Sequence, residues 1–162
     1  MIRPATVQDA AAIASIQARA WRHGYAEIVE PDQMPDVSRT EPWWRERLVQ
    51  GDADALVFDQ DGALAGFAVA GADRWGGEEG ELYAIYVDPP AQGAGVGSAL
   101  LAAAVEALRD GGFAAARLWV LEANGLARAF YERHGWRLDD GRQERMAGLP
   151  EVRYRRALPA RA

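Results

Sequence analysis

Residues 81–97 have the sequence Glu81-Leu82-Tyr83-Ala84-Ile85-Tyr86-Val87-Asp88-Pro89-Pro90-Ala91-Gln92-Gly93-Ala94-Gly95-Val96-Gly97. The first seven are rich in aromatic and branched side chains, which favour a β-strand. Two prolines end that strand, because proline lacks the N–H group that a strand ladder requires. From Val96 to Leu108 the apolar residues recur at helical spacing, and Gly111 and Gly112 follow as a stop signal. A glycine-rich loop therefore stands where a strand becomes a helix.

This loop has the features of a phosphate-binding site. The first N–H groups of a helix have no partner within the helix, and the positive end of the helix dipole faces the same way. Glycine also lets the backbone come close to a ligand, because it has no Cβ atom. The loop and the helix start together predict a binding site for a phosphate group.

Two common phosphate-binding loops fit this stretch poorly. A Walker loop requires a lysine after its last glycine, and the chain contains no lysine. A dinucleotide fingerprint requires Gly or Ala at its sixth position, where counting from Gly93 leads to Ser98. A different nucleotide-binding protein is therefore disfavoured. For the loop by itself, an ordinary tight turn between strand and helix remains the alternative.

The pattern that does fit is Gln-x-x-Gly-x-Gly after a strand that ends in Val-Asp-Pro. With Gln92, Gly95 and Gly97 in those places, it resembles the acetyl-CoA-binding signature of the GNAT superfamily of N-acetyltransferases. Further along, Asn124 is followed seven residues later by Tyr131, then by Glu and by a Gly–aromatic pair. This segment is similar to the second GNAT signature. The resemblance covers roughly residues 55–158 and is specific for the superfamily, but not for a substrate.

A single domain over residues 1–162 is expected, since this length suits one sizeable core. A strand at 81–87, a helix, and a strand at 115–121 predict a parallel pair with a right-handed crossover. The resemblance extends this to an α/β fold of mixed α+β type. That fold has a central, mostly antiparallel sheet with one parallel pair of central strands, flanked by about four helices.

Local signals predict the remaining elements. Thr6 and Asp9 have capping-box spacing before a helix, and Pro42 fits the first turn of a second helix over 43–49. Asn124 can cap a fourth helix, which Gly135 ends. Other strands are predicted at 1–5, 55–58, 63–70, 136–138 and 152–158, with an Asp-Gly hairpin turn at 61–62.

Composition excludes several kinds of chemistry. The formal charge of −6 argues against an extended nucleic-acid footprint. The absence of cysteine excludes a thiol nucleophile and thiolate metal ligands, and two histidines are too few for a metal site to be expected. The chain shows neither a membrane span nor the core of a signal peptide, so a cytoplasmic protein is expected.

The resemblance implies direct transfer of acetyl from the sulfur of acetyl-CoA to an amine within a ternary complex. The central strands would splay apart, and pantetheine would lie between them, paired with the backbone of Ile85 and Val87. The pyrophosphate would sit on amide groups of the loop. The predicted cofactor-binding residues are Ile85, Tyr86, Val87, Gln92, Gly93, Ala94, Gly95, Val96, Gly97, Ser98, Asn124 and Arg128.

One feature of the loop departs from the family. Members often carry an extra Arg or Lys inside it, where this chain has Gly93, Ala94 and Val96. Arg128 or Arg133 would then supply the positive charge, unless each is simply a solvated helix residue.

The chemistry also requires two proton movements. A primary amine is only about 0.1% neutral at pH 7.4, so a carboxylate, directly or through water, would accept its proton. Glu81 is the first candidate for this base, ahead of Glu79 and Glu122, although each also fits a solvated strand end. The departing thiolate needs a proton donor or a stabilising dipole, and the Tyr131 hydroxyl fits that role. Asn124 would orient the coenzyme.

The acceptor is predicted only as a class, a small amine or a peptide N-terminus. The excess of acidic residues favours a cationic acceptor. Aromatic and His side chains lie in segments that would flank it: Trp21, His23, Tyr25, Trp75 and Tyr83. A catalytically silent acyl-CoA-binding module is the alternative function. Because dimers are common in the superfamily, a homodimer paired through the terminal strands is an option.

Overall fold

The computed structural model describes residues 1–160, which form a seven-stranded sheet and four α-helices. The strands are β1 (Ile2–Pro4), β2 (Asp54–Gln60), β3 (Ala63–Ala72), β4 (Gly80–Val87), β5 (Ala115–Leu121), β6 (Arg137–Met146) and β7 (Leu149–Ala157). The helices are α1 (Ala10–Gly24), α2 (Val37–Gln50), α3 (Val96–Asp110) and α4 (Gly125–Arg133).

The sheet has the mixed topology that the sequence predicts. Its strand order is β1-β2-β3-β4-β5-β7-β6, and every neighbouring pair is antiparallel except β4 and β5. The helix between those two strands is α3, so the strand–helix–strand unit is the predicted crossover. The expected fold class is therefore confirmed.

The parallel pair is joined at one end only. Residues 80–82 pair with residues 116–118, and no pairing continues toward Val87 and Leu121. On its other edge β4 contains a bulge, because Val69 pairs with Ala84 and Ala70 with Leu82, which leaves Tyr83 as the extra residue. A bulge bends its strand and increases the local twist. β4 thus leaves β5 and opens a gap in the middle of the sheet.

Apolar side chains pack against both faces of the sheet. On one face α3 contributes Leu100, Leu101 and Leu108, which pack with Ala68 and Leu82. On the other face α1 and α2 pack against alternate residues of the same strands, through contacts that include Ile13, Trp44 and Phe67. Burying large side chains of this kind contributes about 1.5–3 kcal/mol each. The two layers hold the gap open between rigid walls.

The prediction that Pro42 begins the second helix was wrong. α2 begins at Val37, because the Asp36 side chain accepts a hydrogen bond of 3.0 Å from the Ser38 N–H group and caps the helix. Pro42 lies inside the helix and cannot donate to the Ser38 carbonyl, four residues before it. The capping signal at Asp36 outweighs the proline signal.

The closing strands are longer than predicted. β6 and β7 extend over 137–146 and 149–157, and the turn between them places Ala147 and Gly148 at positive φ. Charged and polar residues dominate β6, which forms an edge of the sheet. Edge strands commonly carry such residues because charge discourages pairing with other chains. Because β6 has few apolar residues, the alternation of apolar and polar residues that indicates a strand is missing over most of its length.

Candidate functional site

The glycine loop has the backbone geometry expected of a helix-start site. Gly93 and Gly95 adopt φ angles of 80° and 83°, which side chains rarely tolerate. Gly95 is the N-cap of α3, and the first bond inside the helix runs from Ala99 N–H to the Gly95 carbonyl at 3.0 Å. A Cβ atom at either glycine would meet no protein atom within 4 Å. The N–H groups of residues 96–98 thus lie at an open helix start.

A cavity of about 630 Å³ extends from this loop into the gap between β4 and β5. We call it the coenzyme-side cavity. Ten of the predicted site residues line it: Ile85, Tyr86, Val87, Gln92, Gly93, Gly95, Gly97, Ser98, Asn124 and Tyr131. Four others do not: Glu81, Ala94, Val96 and Arg128. The Val96 side chain is buried in the core, so only its backbone could take part.

The exposed edge of β4 is available for hydrogen bonding. The Asp88 N–H group donates to the Ala65 carbonyl at 2.8 Å, so the backbone of Asp88 faces β3. Because these groups alternate along a strand, Tyr86 faces β3 as well, and Ile85 and Val87 face the gap. A contact of Gln92 supports this orientation of Val87, because Gln92 Nε2 donates to the Val87 carbonyl at 3.2 Å.

Tyr131 presents a protonated hydroxyl to the cavity. It belongs to α4, whose N-cap is Asn124, with Oδ1 accepting from the Ala127 N–H group at 3.2 Å. The predicted cap is therefore confirmed. Burial raises the pKa of Tyr131 well above its usual value, and the nearby Tyr25 raises it further. The hydroxyl therefore stays neutral throughout the physiological pH range.

The candidate carboxylates lie in ion pairs or at the surface. Glu81 is only 1% exposed and is bound by Arg74 through Nε at 3.2 Å and Nη2 at 2.6 Å. Glu79 contacts Arg117 at 2.9 Å and Arg155 at 2.8 Å. Burial alone would raise the pKa of Glu79, but the two arginines outweigh it and the pKa falls. The exposed Glu122 lies just beyond β5.

Arg128 and Arg133 have different surroundings. The Arg128 guanidinium donates to the Tyr154 hydroxyl at 3.1 Å and to the Glu122 carbonyl at 3.0 Å, which ties it to the neighbouring strands. Arg133 lies among the residues that line the coenzyme-side cavity. The structure therefore brings Arg133, rather than Arg128, to the side of the cavity.

A second cavity, also of about 630 Å³, opens beside the first. Residues that line both cavities are Tyr83, Ala84, Tyr86, Trp119 and Met146. Its walls are rich in aromatic side chains: Trp21, Trp43, Trp44, Trp75, Trp119, Tyr83 and Tyr86. Of the aromatic residues expected near the acceptor, Trp21, Trp75 and Tyr83 lie here. Tyr25 and the histidine, His23, line the coenzyme-side cavity instead.

Several contacts at the two cavities had no signal in the sequence. His134 joins the end of α4 to the start of α3, with Nδ1 2.7 Å from the Phe130 carbonyl and Nε2 3.0 Å from Ser98 Oγ. Tyr25 lies beside the side chains of Asn124 and Tyr86. Ser98 is far in sequence from His134, and Tyr25 is far from Asn124 and Tyr86, so no local pattern predicts that these residues meet.

No group of three or more His, Cys, Asp or Glu side chains within residues 1–160 is arranged to hold a metal ion. None of the helices described here combines the length and the apolarity needed to cross a membrane.

Comparison with known sequences adds an independent line of information. Residues 11–136 match the family described as "Acetyltransferase (GNAT) family". An uncharacterized N-acetyltransferase, YuaI of Bacillus subtilis, is 36% identical over 127 residues, which are 76% of this chain and 72% of that protein. A mycothiol acetyltransferase of Saccharomonospora viridis is 33% identical over 136 residues, or 80% of this chain. The chain spans only 42% of that second relative.

Solved structures share the whole fold. The PaiA N-acetyltransferase of Thermoplasma acidophilum, in complex with coenzyme A, aligns with a TM-score of 0.75 at 20% identity. That alignment covers 97% of this chain and 98% of the other. The yncA protein of Salmonella typhimurium, solved with its cofactor acetyl-CoA, aligns with a TM-score of 0.75 at 23% identity and covers 100% and 95% of the two chains.

Proposed function

The chain belongs to the GNAT acetyltransferase family, and on that premise we propose that it transfers the acetyl group of acetyl-CoA to a primary amine. One observation carries this proposal. Two cavities of similar size meet at the gap between β4 and β5, one beside the open start of α3 and the other with aromatic walls. Such a pair of spaces suits two substrates that react where the spaces join.

The coenzyme would occupy the first cavity. Its pyrophosphate would accept hydrogen bonds from the N–H groups of residues 96–98, at the positive end of α3. Its pantetheine would lie along β4 as an added strand, paired with Ile85 and Val87. Arg133 would supply the positive charge that the loop itself lacks. Structures of the same fold in complex with coenzyme A and with acetyl-CoA support the choice of this ligand.

The reaction would then proceed in one displacement. The neutral amine attacks the thioester carbonyl, a C–N bond forms, and the C–S bond breaks with its electron pair leaving on sulfur. The amine gives up one proton to a base, and the sulfur regains one from Tyr131 or from solvent. A free thiol has a pKa of about 8.5, well below that of this tyrosine, so full transfer from Tyr131 is uphill. The hydroxyl would therefore act chiefly as a hydrogen-bond donor to the developing thiolate.

Identification of the base remains a prediction. Glu81 lies beside the gap but is bound to Arg74 and lines neither cavity, so any proton would reach it through water. Replacing Glu81 with Gln tests this role. If Glu81 is the base, Glu81→Gln should lose most of its kcat. If the carboxylate is purely structural, the variant should be less stable but should retain its kcat.

Calorimetric titration with CoA and thiol release with a panel of amines together test the proposed function. We expect saturable CoA binding that ATP and NAD do not displace, and turnover with at least one primary amine. Tyr131→Phe is expected to keep the affinity for CoA and to lose turnover. Saturable binding without turnover of any amine would instead indicate a silent acyl-CoA-binding module.

A further inference from the structure

Glu151 differs from the other buried acidic residues of the described chain. Four acidic side chains are buried in residues 1–160, and three of them pair with an arginine. Those pairs are Asp9 with Arg3 at 2.9 Å, Asp73 with Arg117 at 3.4 Å, and Glu81 with Arg74 at 2.6 Å. Glu151 is 4% exposed and forms no ion pair within this range. Its hydrogen-bond donor is the Gln143 side chain, with Nε2 3.1 Å from Oε1.

The Glu151 carboxylate lies in the wall of the second cavity. Removing a charged carboxylate from water is costly unless a cation compensates it. The three arginines of the same wall are engaged elsewhere, and Arg47 contacts Asp52 at 3.4 Å. Arg74 binds Glu81 and lies 4.4 Å from the centre of the Tyr83 ring, and Arg145 lies 3.4 Å from the centre of the Trp75 ring. Within residues 1–160 no arginine pairs with Glu151, so a cation bound in the cavity would be its partner.

Glu151 also lies close to the place where the two cavities meet. It pairs with Leu121 at the end of β5 that has separated from β4. Burial raises the pKa of Tyr25, and the charge of Glu151 adds to that rise. Tyr25 itself lines the coenzyme-side cavity, so a group bound at Glu151 would be near the coenzyme.

We infer that Glu151 binds the ammonium group of the acceptor, and that the acceptor is an amine with an apolar or aromatic body. Trp21, Trp44 and Trp119 form apolar walls around the same space, which suits such a body. The inference rests on the proposed function and names the substrate class of that site.

The test compares Glu151→Gln with Glu144→Gln. Glu144 is exposed and lies between Gln143 and Arg145 on β6, but it lines neither cavity. The probe is 2-phenylethylamine, with 2-phenylethanol as a neutral compound of similar shape. Calorimetric titrations are made with CoA present, and KM and kcat are measured wherever turnover occurs.

Wild type and Glu144→Gln should bind the amine at least 10-fold more tightly than the alcohol. Glu151→Gln should lose about 10- to 100-fold in amine affinity, with a matching rise in KM and no change in CoA affinity. The amine should raise the Tm of wild type but not that of Glu151→Gln. Without ligand, Glu151→Gln should have a Tm no lower than that of wild type, because the substitution removes a buried carboxylate that no arginine of residues 1–160 neutralises.

Equal amine affinity in Glu151→Gln and wild type would overturn the inference, as would a wild type that binds neither probe. The CoA titration and the wider amine panel are read separately. Turnover of other amines without any effect of Glu151 would leave the proposed function standing while this inference fails.

Discussion

Replacing Gly95 with Ala isolates the role of the helix start in coenzyme binding. Gly95 has φ 83° and ψ 1°, and an added Cβ atom would meet no protein atom within 4 Å. The cost to folding is therefore backbone strain alone, about 1–2 kcal/mol. Gly112, just beyond the far end of α3, has φ 89° and equally open surroundings. Gly112→Ala thus carries a similar strain away from both cavities.

The two variants should differ in their affinity for CoA. Gly95 precedes the three N–H groups of residues 96–98, which would hold the pyrophosphate. Each helix-end interaction contributes about 0.3–1 kcal/mol, so redirecting three of them should cost about 1–3 kcal/mol. This corresponds to a rise in Kd of about 5- to 150-fold. Gly112→Ala should leave the Kd unchanged.

Urea unfolding and calorimetric titration with CoA measure the two effects separately. We expect both variants to lose a similar amount of unfolding free energy and only Gly95→Ala to lose affinity. If Gly95→Ala binds CoA as tightly as wild type, the start of α3 is not the binding site for the pyrophosphate. An equal loss of affinity in Gly112→Ala would show that strain, not position, controls binding.

Three further variants test other parts of the structure. Tyr131→Phe should lower kcat by about 100-fold or more with Kd for CoA unchanged, and rapid kinetics would show it. In wild type the raised pKa keeps Tyr131 protonated, so loss of its proton should not lower kcat below about pH 10. The stability that the neutral tyrosine contributes should likewise be lost only above that pH. Arg74→Met should lower unfolding free energy by about 3 kcal/mol because Glu81 stays buried without a cation and keeps the N–H group of residue 74 as its donor, and adding Glu81→Met should recover most of it. Asn124→Ala should cost about 1 kcal/mol in urea unfolding through loss of the α4 cap; an unchanged midpoint would contradict that role.

Local patterns were sufficient to predict the strand, the glycine loop and the helix start beside the coenzyme-side cavity. The prolines after Val87, the glycines at 93 and 95, and the helical spacing beyond them act within a few residues of one another. Their effects on φ, on strand pairing and on helix start do not depend on distant contacts. Capping at Asn124 is equally local, and it placed Tyr131 on the right helix.

What the sequence by itself determined was the mixed fold, the strand–loop–helix unit and the helix that carries Tyr131. Only the tertiary structure decided which charges meet. Arg74 neutralises Glu81, Arg128 contacts Tyr154 on β7, and within residues 1–160 Glu151 has no arginine partner beside the second cavity. These outcomes depend on strand register and on packing between residues far apart in the chain. A side chain's type and its near neighbours do not contain that information, because the energy of a charge is set by whatever the folded chain brings next to it.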